Sequence, residues 1–312
     1  MSRPARHQAT ATHPPYRYEA YNLHIASDVE LPEVPCGAVD VEPDVCIRLG
    51  EVATRLENPA GEGARYQAAP NRLLLTIDDV GRFLVRDGRE IVVDLDPEAT
   101  LDDARVFVLG SCFGALLHQR GLLVLHATAV CVDGSAVLFT GRSGLGKSTL
   151  LSALVDRGHP MMVDDVCGVF VDDSGAPMLV PAFPRIRLTE ASAQALDVSG
   201  AAYRMTRTGK REHLLADSFW PSVAPVSRIY VLGLHDEPSI GFEDLPTFRA
   251  IHAVMHHTYR RGFLNGMQLR PTHVALASTV ATTVQVRRVL RPSEPFEPHR
   301  LAEAIEHDLR PL

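Results

Sequence analysis

The sequence has no excess of basic residues, no long apolar run and no paired-cysteine motif. Its formal net charge is −7, which argues against a general nucleic-acid binder, because such a protein needs a basic face. No stretch reaches the roughly 18 apolar residues that a membrane span requires, and the N-terminal segment lacks the apolar core of a secretory signal. The five cysteines are scattered without a C-x-x-C pair, so neither a disulfide framework nor a zinc site is expected. A cytoplasmic protein fits these absences best.

Lysine is also scarce. Of the 31 lysines and arginines only two are lysines, Lys147 and Lys210. The compact ammonium of lysine is not interchangeable with the planar guanidinium of arginine. Both lysines are therefore candidate functional residues.

The 312 residues suffice for one large domain or two modest ones. Residues 1–15 are polar and contain proline, which predicts disorder. Residues 16–100 consist of short β-rich runs separated by turn signals such as NPAGEGA and RDG, which predict a small, mainly antiparallel β domain. In residues 101–312 strands alternate with helices, which predicts an α/β layer domain.

Several elements of this second part can be assigned. Residues 101–120 have apolar positions at helical spacing and predict a helix that bridges the two parts, with Asp102 or Asp103 as its cap. Two strands joined by a V-D-G-S turn follow, and VSRIYVLGL predicts a central strand. Residues 247–283 are predicted to be mostly helical, with a break near Gly266.

The segment GRSGLGKST matches the pattern G-x-x-x-x-G-K-[ST] in full. It follows the apolar strand SAVLFT and opens a helix at about residues 147–157, which is the context that a phosphate-binding loop needs. Backbone N–H groups and the helix N-terminus attract anionic oxygens. Lys147 is predicted to reach the β- and γ-phosphates of a nucleotide such as ATP, and the Ser148 hydroxyl to bind Mg²⁺. The predicted nucleotide-binding residues are Gly141, Ser143, Gly144, Leu145, Gly146, Lys147, Ser148 and Thr149.

Two adjacent carboxylates follow the loop. Asp164 and Asp165 end the next apolar run, and in an open parallel sheet the C-terminal strand ends face the ligand. We therefore expect both near the γ-phosphate. Two carboxylates beside a metal allow a division of labour, in which one holds Mg²⁺ and the other accepts a proton from an incoming hydroxyl.

The other common uses of such a loop lack their residues here. No glutamate follows the aspartate pair to polarise water, as a motor ATPase usually requires. No guanine-specific N-K-x-D motif and no transporter signature of the L-S-G-G-Q type are found. Phosphoryl transfer to a hydroxyl is therefore favoured over a motor or a switch.

The stretch LHATAVCVDGSAVLFTGRSGLGKSTLLSALVDRGHPMMVDDVCGVF resembles the catalytic domain of HPr kinase/phosphorylase. This resemblance implies a kinase-like α/β fold of the HPr kinase type with ATP and Mg²⁺. By position it implies Mg²⁺ ligation by Ser148 and Asp165, a general-base role for Asp164 and a place for His126 near the phosphates. Such proteins assemble into oligomers, so a homo-oligomer is expected.

The resemblance has departures. Thr149 stands where that family has glutamate, and VPAFPRIRLTE replaces a glycine-rich segment. Upstream, YNLHIASDVELPEV and GRFLVRDGREIVV resemble related proteins of peptide natural-product clusters, among them lasso-peptide precursor kinases. This implies an acceptor serine at the C-terminus of a peptide. Nucleic-acid and membrane partners are not expected, because of the negative net charge and the lack of a long apolar run.

Further cations are candidates for the site. Arg185 and Arg187 alternate in PRIRL, so both could face one side of a strand and bind substrate or neutralise charge. Lys210 lies in a polar loop, where it either meets a phosphate or belongs to a solvated charge run. His126 is either a ligand of the site or a buried core histidine. His252, His256 and His257 lack a carboxylate at metal-binding spacing and predict a surface helix.

Two other functions remain open at this point. The chain could phosphorylate a small-molecule alcohol, or it could be a nucleotide-binding regulatory module with little turnover.

Overall fold

The computed structural model describes residues 14–190, 192, 196, 204–205 and 211–310. The segment predicted to be disordered, residues 1–15, falls almost entirely outside these ranges. The protein is a mixed α/β structure with two large sheets and one small one. Among the described residues no helix has the length and apolarity needed to cross a membrane.

The N-terminal part forms an eight-stranded sheet in the order β1-β2-β3-β8-β7-β6-β5-β4. Most neighbours are antiparallel, as the turn signals predict, but β3 runs parallel to both β2 and β8. The strands are β1 (Tyr16–Ala20), β2 (Leu23–Ser27), β3 (Val45–Leu49), β4 (Gly61–Gly63), β5 (Tyr66–Ala69), β6 (Arg72–Ile77), β7 (Gly81–Arg86) and β8 (Glu90–Leu95).

The predicted bridging helix is a segment with a π-turn in its middle. Helix α1 (Leu101–Phe107) passes through the π-turn Val108–Cys112 into α2 (Phe113–Gln119). The prediction of an aspartate cap is wrong, because Thr100 is the N-cap. Its hydroxyl accepts from the backbone N–H of Asp103, and the Asp103 carboxylate accepts from the backbone N–H of Thr100, which is a capping box.

Seven strands form the second large sheet, in the order β10-β9-β11-β12-β16-β18-β17. A three-stranded sheet, β13-β15-β14, lies beside it. The strands are β9 (Leu123–Val132), β10 (Ser135–Thr140), β11 (Met161–Val171), β12 (Pro177–Val180), β13 (Arg185–Leu188), β14 (Arg204–Met205), β15 (Arg211–Leu214), β16 (Ala224–His235), β17 (Gly241–Asp244) and β18 (Gln285–Pro292).

Strand β16 contains the apolar run VSRIYVLGL and is central, as predicted. It pairs in parallel with β10 on the phosphate-loop side and with β18, and it meets β12 at its start. The predicted hairpin between β9 and β10 is also confirmed, with Asp133 and Gly134 both at positive φ in the turn.

The remaining described helices cover the second sheet. Helix α6 packs on β9, β11 and β12, and α3 and α7 pack against each other. The helices are α3 (Lys147–Asp156), α4 (Thr247–His256), α5 (Gly262–Gly266), α6 (Arg270–Thr283) and α7 (Pro298–Leu309). The predicted break near Gly266 corresponds to the turn between α5 and α6.

One hydrophobic cluster contains buried side chains of both large sheets, from Ile25 and Phe83 to Leu125 and Val163. A second cluster joins α3, β10 and α7 beneath the phosphate loop. Tyr21 connects the parts directly, since its backbone N–H donates to the Pro181 carbonyl and its ring contacts Phe113. The division at residue 100 remains a prediction.

Candidate active site

The predicted phosphate loop connects the end of β10 to the start of α3. Gly141, Gly144 and Gly146 have φ values of 150°, 87° and 88°, a region that glycine enters at little steric cost. Gly146 is the N-cap of α3 in the left-handed conformation. A β-carbon at this position would lie 2.5 Å from the ring of Phe296. The loop geometry therefore depends on glycine, and it leaves the N-terminus of a ten-residue helix facing the loop.

Lys147 is the first residue of α3 and is 7% exposed. Its Nζ donates to the carbonyl oxygens of Gly141 at 2.9 Å and Arg142 at 3.2 Å. The ammonium thus lies over the loop, where a phosphate bound to the loop N–H groups would meet it.

Asp164 lies beside Ser148. The Ser148 hydroxyl donates to Asp164 Oδ1 at 2.9 Å, and the backbone N–H of Arg187 donates to Asp164 Oδ2 at 3.0 Å. Burial and the neighbouring charge of Asp165 raise the pKa of the Asp164 carboxyl above its usual range. Asp164 is therefore the more readily protonated member of the pair.

Asp165 has two side-chain partners. Its Oδ1 lies 2.9 Å from Nδ1 of His126, and its Oδ2 accepts from the guanidinium of Arg187. Burial opposes ionisation, but the hydrogen bond with His126 and the charge of Arg187 outweigh it and hold the pKa of Asp165 well below its usual range. The residue has a φ of 90°, an uncommon conformation for any residue other than glycine.

The expectation that the pair ends a strand of an open parallel sheet is wrong. Asp164 and Asp165 lie in the middle of β11, opposite Thr128 and Ala127 of the antiparallel strand β9. Only β9 separates β11 from β10, and the phosphate loop follows β10. Strand β11 therefore passes alongside the phosphate loop, which brings the two aspartates to it.

These groups line one cavity of about 150 Å³. Its lining includes residues of the phosphate loop, both carboxylates and the guanidinium of Arg187, so most of the predicted site residues lie around one cavity. Its lining residues are His126, Ser143, Gly144, Gly146, Lys147, Ser148, Thr149, Asp164, Asp165, Arg187, Leu188, Thr189 and Ser192.

Arg185 does not face this cavity, contrary to the expectation for PRIRL. It is 3% exposed, its NH1 lies 3.2 Å from Glu212 Oε1, and its guanidinium lies 4.9 Å from the centre of the Phe183 ring. Arg187, two positions on, lines the cavity. A substrate-binding role for Arg185 is thus replaced by a role in the protein interior. The other predicted substrate-binding cation, Lys210, lies outside the described residues.

Sequence reasoning missed two contacts of the site. Thr149 donates to Ser192 Oγ at 2.9 Å, and Ser192 also meets the Thr189 hydroxyl at 2.9 Å. The ring of Tyr259 stacks on His126 with centroids 6.0 Å apart. The pattern T-E-A-S from Thr189 resembles the start of a helix, and this resemblance could have drawn attention to Thr189 and Ser192. Nothing local in the sequence connects residues 126 and 259.

The ring of Tyr259 packs closely against two glycines of the bridging segment. A β-carbon at Gly114 would lie 2.6 Å from the Tyr259 ring, and one at Gly110 would lie 3.3 Å from its hydroxyl. Two glycines four residues apart therefore allow the helix to approach this ring.

Of the three clustered histidines, His252 and His256 are exposed on α4, as predicted. His257 is different, because its carbonyl accepts from the backbone N–H of His126 at 2.8 Å. Burial, together with the charges of His256 and Lys147, lowers the pKa of His257 to about 4. Within the described residues no group of three or more His, Cys, Asp or Glu is placed to hold a metal by itself.

No protein-family model matches the sequence. The chain is similar to HPr kinase/phosphorylase of Chlorobium phaeovibrioides, with 32% identity over 127 residues, which are 38% of this chain and 37% of that protein. It is similar to the protein of the same name from Lacticaseibacillus casei, with 32% identity over 128 residues, 35% of this chain and 39% of that protein. A stretch of 50 residues is 48% identical to HPr kinase/phosphorylase of Chlorobium limicola, over 16% of this chain and 14% of that protein.

The matched stretches therefore span well under two thirds of these relatives' lengths. Among solved structures, the Hpr(Ser) kinase/phosphatase from Coxiella burnetii aligns with 59% of this chain and 89% of its own, at 17% identity and a TM-score of 0.34.

Proposed function

We propose that this chain is an ATP- and Mg²⁺-dependent kinase that transfers a γ-phosphoryl group to a serine hydroxyl of a peptide. One observation carries the proposal. A phosphate loop, its lysine and two carboxylates of opposite pKa shift line a single cavity. A protein that only binds nucleotide has no need of a carboxylate that is ready to take up a proton.

The donors present fit a magnesium ion. The Ser148 hydroxyl and the Asp164 carboxylate are oxygen donors 2.9 Å apart, and Asp165 is adjacent. Mg²⁺ is commonly held by one or two carboxylates together with substrate phosphates. The bound ion would neutralise charge that develops on the phosphates. The resemblance to HPr kinases assigns it to Ser148 and Asp165.

In the proposed transfer Asp164 accepts the proton of the serine hydroxyl. The serine oxygen forms a new bond to the γ-phosphorus, the bond from that phosphorus to the β–γ bridging oxygen breaks, and ADP leaves with its electron pair. Asp164 suits this role because its pKa is raised, whereas Asp165 is kept ionised by Arg187 and His126. Lys147 and Arg187 lie where they can stabilise charge on the transferred group.

One observation favours the reverse assignment of the two carboxylates. Ser148, the predicted metal ligand, donates to Asp164 and not to Asp165. In that arrangement Asp164 and Ser148 would hold the ion, and Asp165, next to His126, would receive the proton. Variants of the two aspartates distinguish these assignments, as described below.

The acceptor class rests on resemblance. The relatives are named as kinases of HPr, which supports a serine in a polypeptide. The upstream motifs that resemble lasso-peptide precursor kinases favour a C-terminal serine of a short ribosomal precursor over HPr itself.

The test incubates the protein with γ-labelled ATP, Mg²⁺ and candidate acceptors, among them a peptide ending in serine and small alcohols. Label on the peptide serine supports the proposal. Label on a small alcohol alone, or tight ATP binding without transfer, contradicts it.

For the mechanism, Asp164→Asn should reduce transfer by about 10²–10⁴-fold, the usual contribution of a general base. ATP binding and Mn²⁺ affinity, measured by titration in place of Mg²⁺, should stay close to those of the parent. Asp173→Asn, an exposed carboxylate beyond the same strand, is the control. Loss of Mn²⁺ affinity in Asp164→Asn with Mn²⁺ affinity kept in Asp165→Asn would establish the reverse assignment.

A further inference from the structure

The chain has a long stretch without acidic residues. Residues 245–293 contain seven arginines and four histidines but no aspartate or glutamate, although the whole chain has 38 acidic residues and a net charge of −7. Such local asymmetry in an acidic protein creates a field of one sign at the surface where these residues lie.

The cations of this stretch fall into two groups. On β18, Arg287 pairs with Asp308, and Arg288 pairs with Glu243. By contrast, Arg261 and Arg270 have no ion pair with any residue that the structure describes, and both are exposed. Their charge is therefore available to a ligand.

Arg261 and Arg270 line the same cavity, of about 410 Å³, between α4, α5 and α6. Its other lining includes the amide of Asn265 and the apolar side chains of Met255, Leu264 and Val274. A cavity lined by two guanidinium groups and several apolar side chains suits a ligand that carries carboxylates on short aliphatic side chains.

The histidine of this cavity adds no charge at neutral pH. His273 is buried, its Nε2 lies 2.7 Å from the Thr258 hydroxyl, and burial lowers its pKa to about 4. The positive charge of the cavity therefore comes from arginine and is constant over the physiological pH range.

The backbone connects this cavity to the catalytic site. The carbonyl of His257 is hydrogen-bonded to the backbone N–H of His126, and the ring of Tyr259 stacks on the ring of His126. Arg261 follows His257 by four residues, so their Cα atoms are at most about 14 Å apart. An extended peptide advances about 3.3 Å per residue, so four or five residues span the distance from His257, which is hydrogen-bonded to His126 of the site, to Arg261.

We propose that the cavity of Arg261 and Arg270 binds an acidic segment of the acceptor peptide, a few residues away from the serine that is phosphorylated. This inference rests on the proposed function and adds an element of substrate recognition to it. Carboxylates of aspartate or glutamate side chains would pair with the two guanidiniums while the serine lies at Asp164.

The test uses two fluorescein-labelled synthetic peptides that end in serine. One carries two glutamates three to six residues before the serine, and the other carries glutamines there. Binding to the full chain with ATP-γ-S and Mg²⁺ is followed by fluorescence anisotropy at low and high salt. We expect the acidic peptide to bind about tenfold more tightly, as two exposed ion pairs can supply, and the preference to shrink with salt.

The variant Arg261→Gln/Arg270→Gln should abolish this preference while ATP affinity stays unchanged. The control Arg89→Gln/Arg300→Gln removes two exposed arginines elsewhere and should keep it. Equal binding of both peptides to the parent, or a preference that survives in the Arg261/Arg270 variant, would overturn the inference. Competition by inorganic phosphate at these arginines without any peptide preference would overturn it in favour of a small-anion site.

The outcome is separable from that of the proposed function, because binding needs no phosphoryl transfer. An acidic preference without label transfer supports this cavity and contradicts the kinase. Transfer of label without a preference for the acidic peptide supports the kinase and contradicts the proposed role of this cavity.

Discussion

Two regions of this protein differ in how their arginines are placed: in one they are buried and ion-paired, and in the other they are exposed without a described ion pair. In the protein interior two buried arginines are paired with carboxylates, Arg185 with Glu212 and Arg105 with Glu33. At the cavity between α4 and α6 the arginines are exposed, and no described acidic residue pairs with Arg261 or Arg270. A buried cation needs a permanent partner, because its desolvation is otherwise uncompensated. An exposed cation keeps its hydration and can exchange it for a ligand.

The largest expected effect comes from removing the carboxylate partner of a buried arginine. Glu212→Ala leaves the Arg185 guanidinium buried without its carboxylate, and we expect a loss of about 3–5 kcal/mol in the free energy of unfolding. Urea denaturation measures it, with Glu57→Ala at an exposed position as control. The double variant Arg185→Met/Glu212→Leu should recover much of the loss, since an apolar pair replaces an ionic one. A loss under 1 kcal/mol in the single variant would show that Arg185 does not depend on Glu212.

An intermediate effect concerns an interior group that stays uncharged. The Nε2–H of His118 donates to the carbonyl oxygen of Tyr259 at 2.9 Å, and burial lowers the pKa of His118 to about 4. In the unfolded chain a histidine has a pKa of about 6.5, so the unfolded state takes up a proton first as pH falls. The stability that this histidine contributes is present above pH 6.5 and is lost towards pH 4.

Between pH 7 and pH 5 this amounts to about 2 kcal/mol. His118→Gln should therefore flatten the pH dependence of the unfolding free energy over that range by about this amount, whereas the exposed control His252→Gln should leave it steep. Unchanged pH dependence in His118→Gln would mean that the pKa of His118 is the same in the folded and the unfolded protein, which would contradict a lowered pKa in the folded state.

The smallest effect is expected at the unmatched cations. Arg261→Gln/Arg270→Gln should change the free energy of unfolding by less than about 0.5 kcal/mol, because neither residue holds a described partner in the folded chain. Thermal and urea unfolding of this variant and the parent measure the difference. A loss comparable to that of Glu212→Ala would place these arginines among the structural charges and remove the contrast between the two regions.

The phosphate loop could be predicted from the sequence because its geometry is local. Gly141, Gly144 and Gly146 need conformations that other residues avoid, and the helix begins at Lys147 as the pattern requires. The aspartate pair could also be singled out, because it follows the loop in the next apolar run, and both carboxylates line the same cavity as the loop.

What the sequence could not provide is which neighbours each strand would have. Asp164 and Asp165 were expected at a parallel strand end, but β11 pairs antiparallel with β9. The alternation of Arg185 and Arg187 gave no means of knowing that the first would be buried, since the Glu212 carboxylate comes from a strand more than twenty residues later. Long-range pairings of this kind depend on the global arrangement of strands, which local patterns do not encode.

The backbone of Asp165 has a consequence for protein engineering. At a φ of 90° a residue with a β-carbon is held in a sparsely populated conformation, at a cost of about 1–3 kcal/mol that glycine would avoid. Glycine at this position would relieve that cost, but it would also remove the carboxylate that pairs with Arg187 and His126 and leave a largely buried guanidinium without this partner. The two effects on the free energy of unfolding have opposite signs, so a library screened for heat resistance gives no measure of turnover at this position and needs a parallel activity screen.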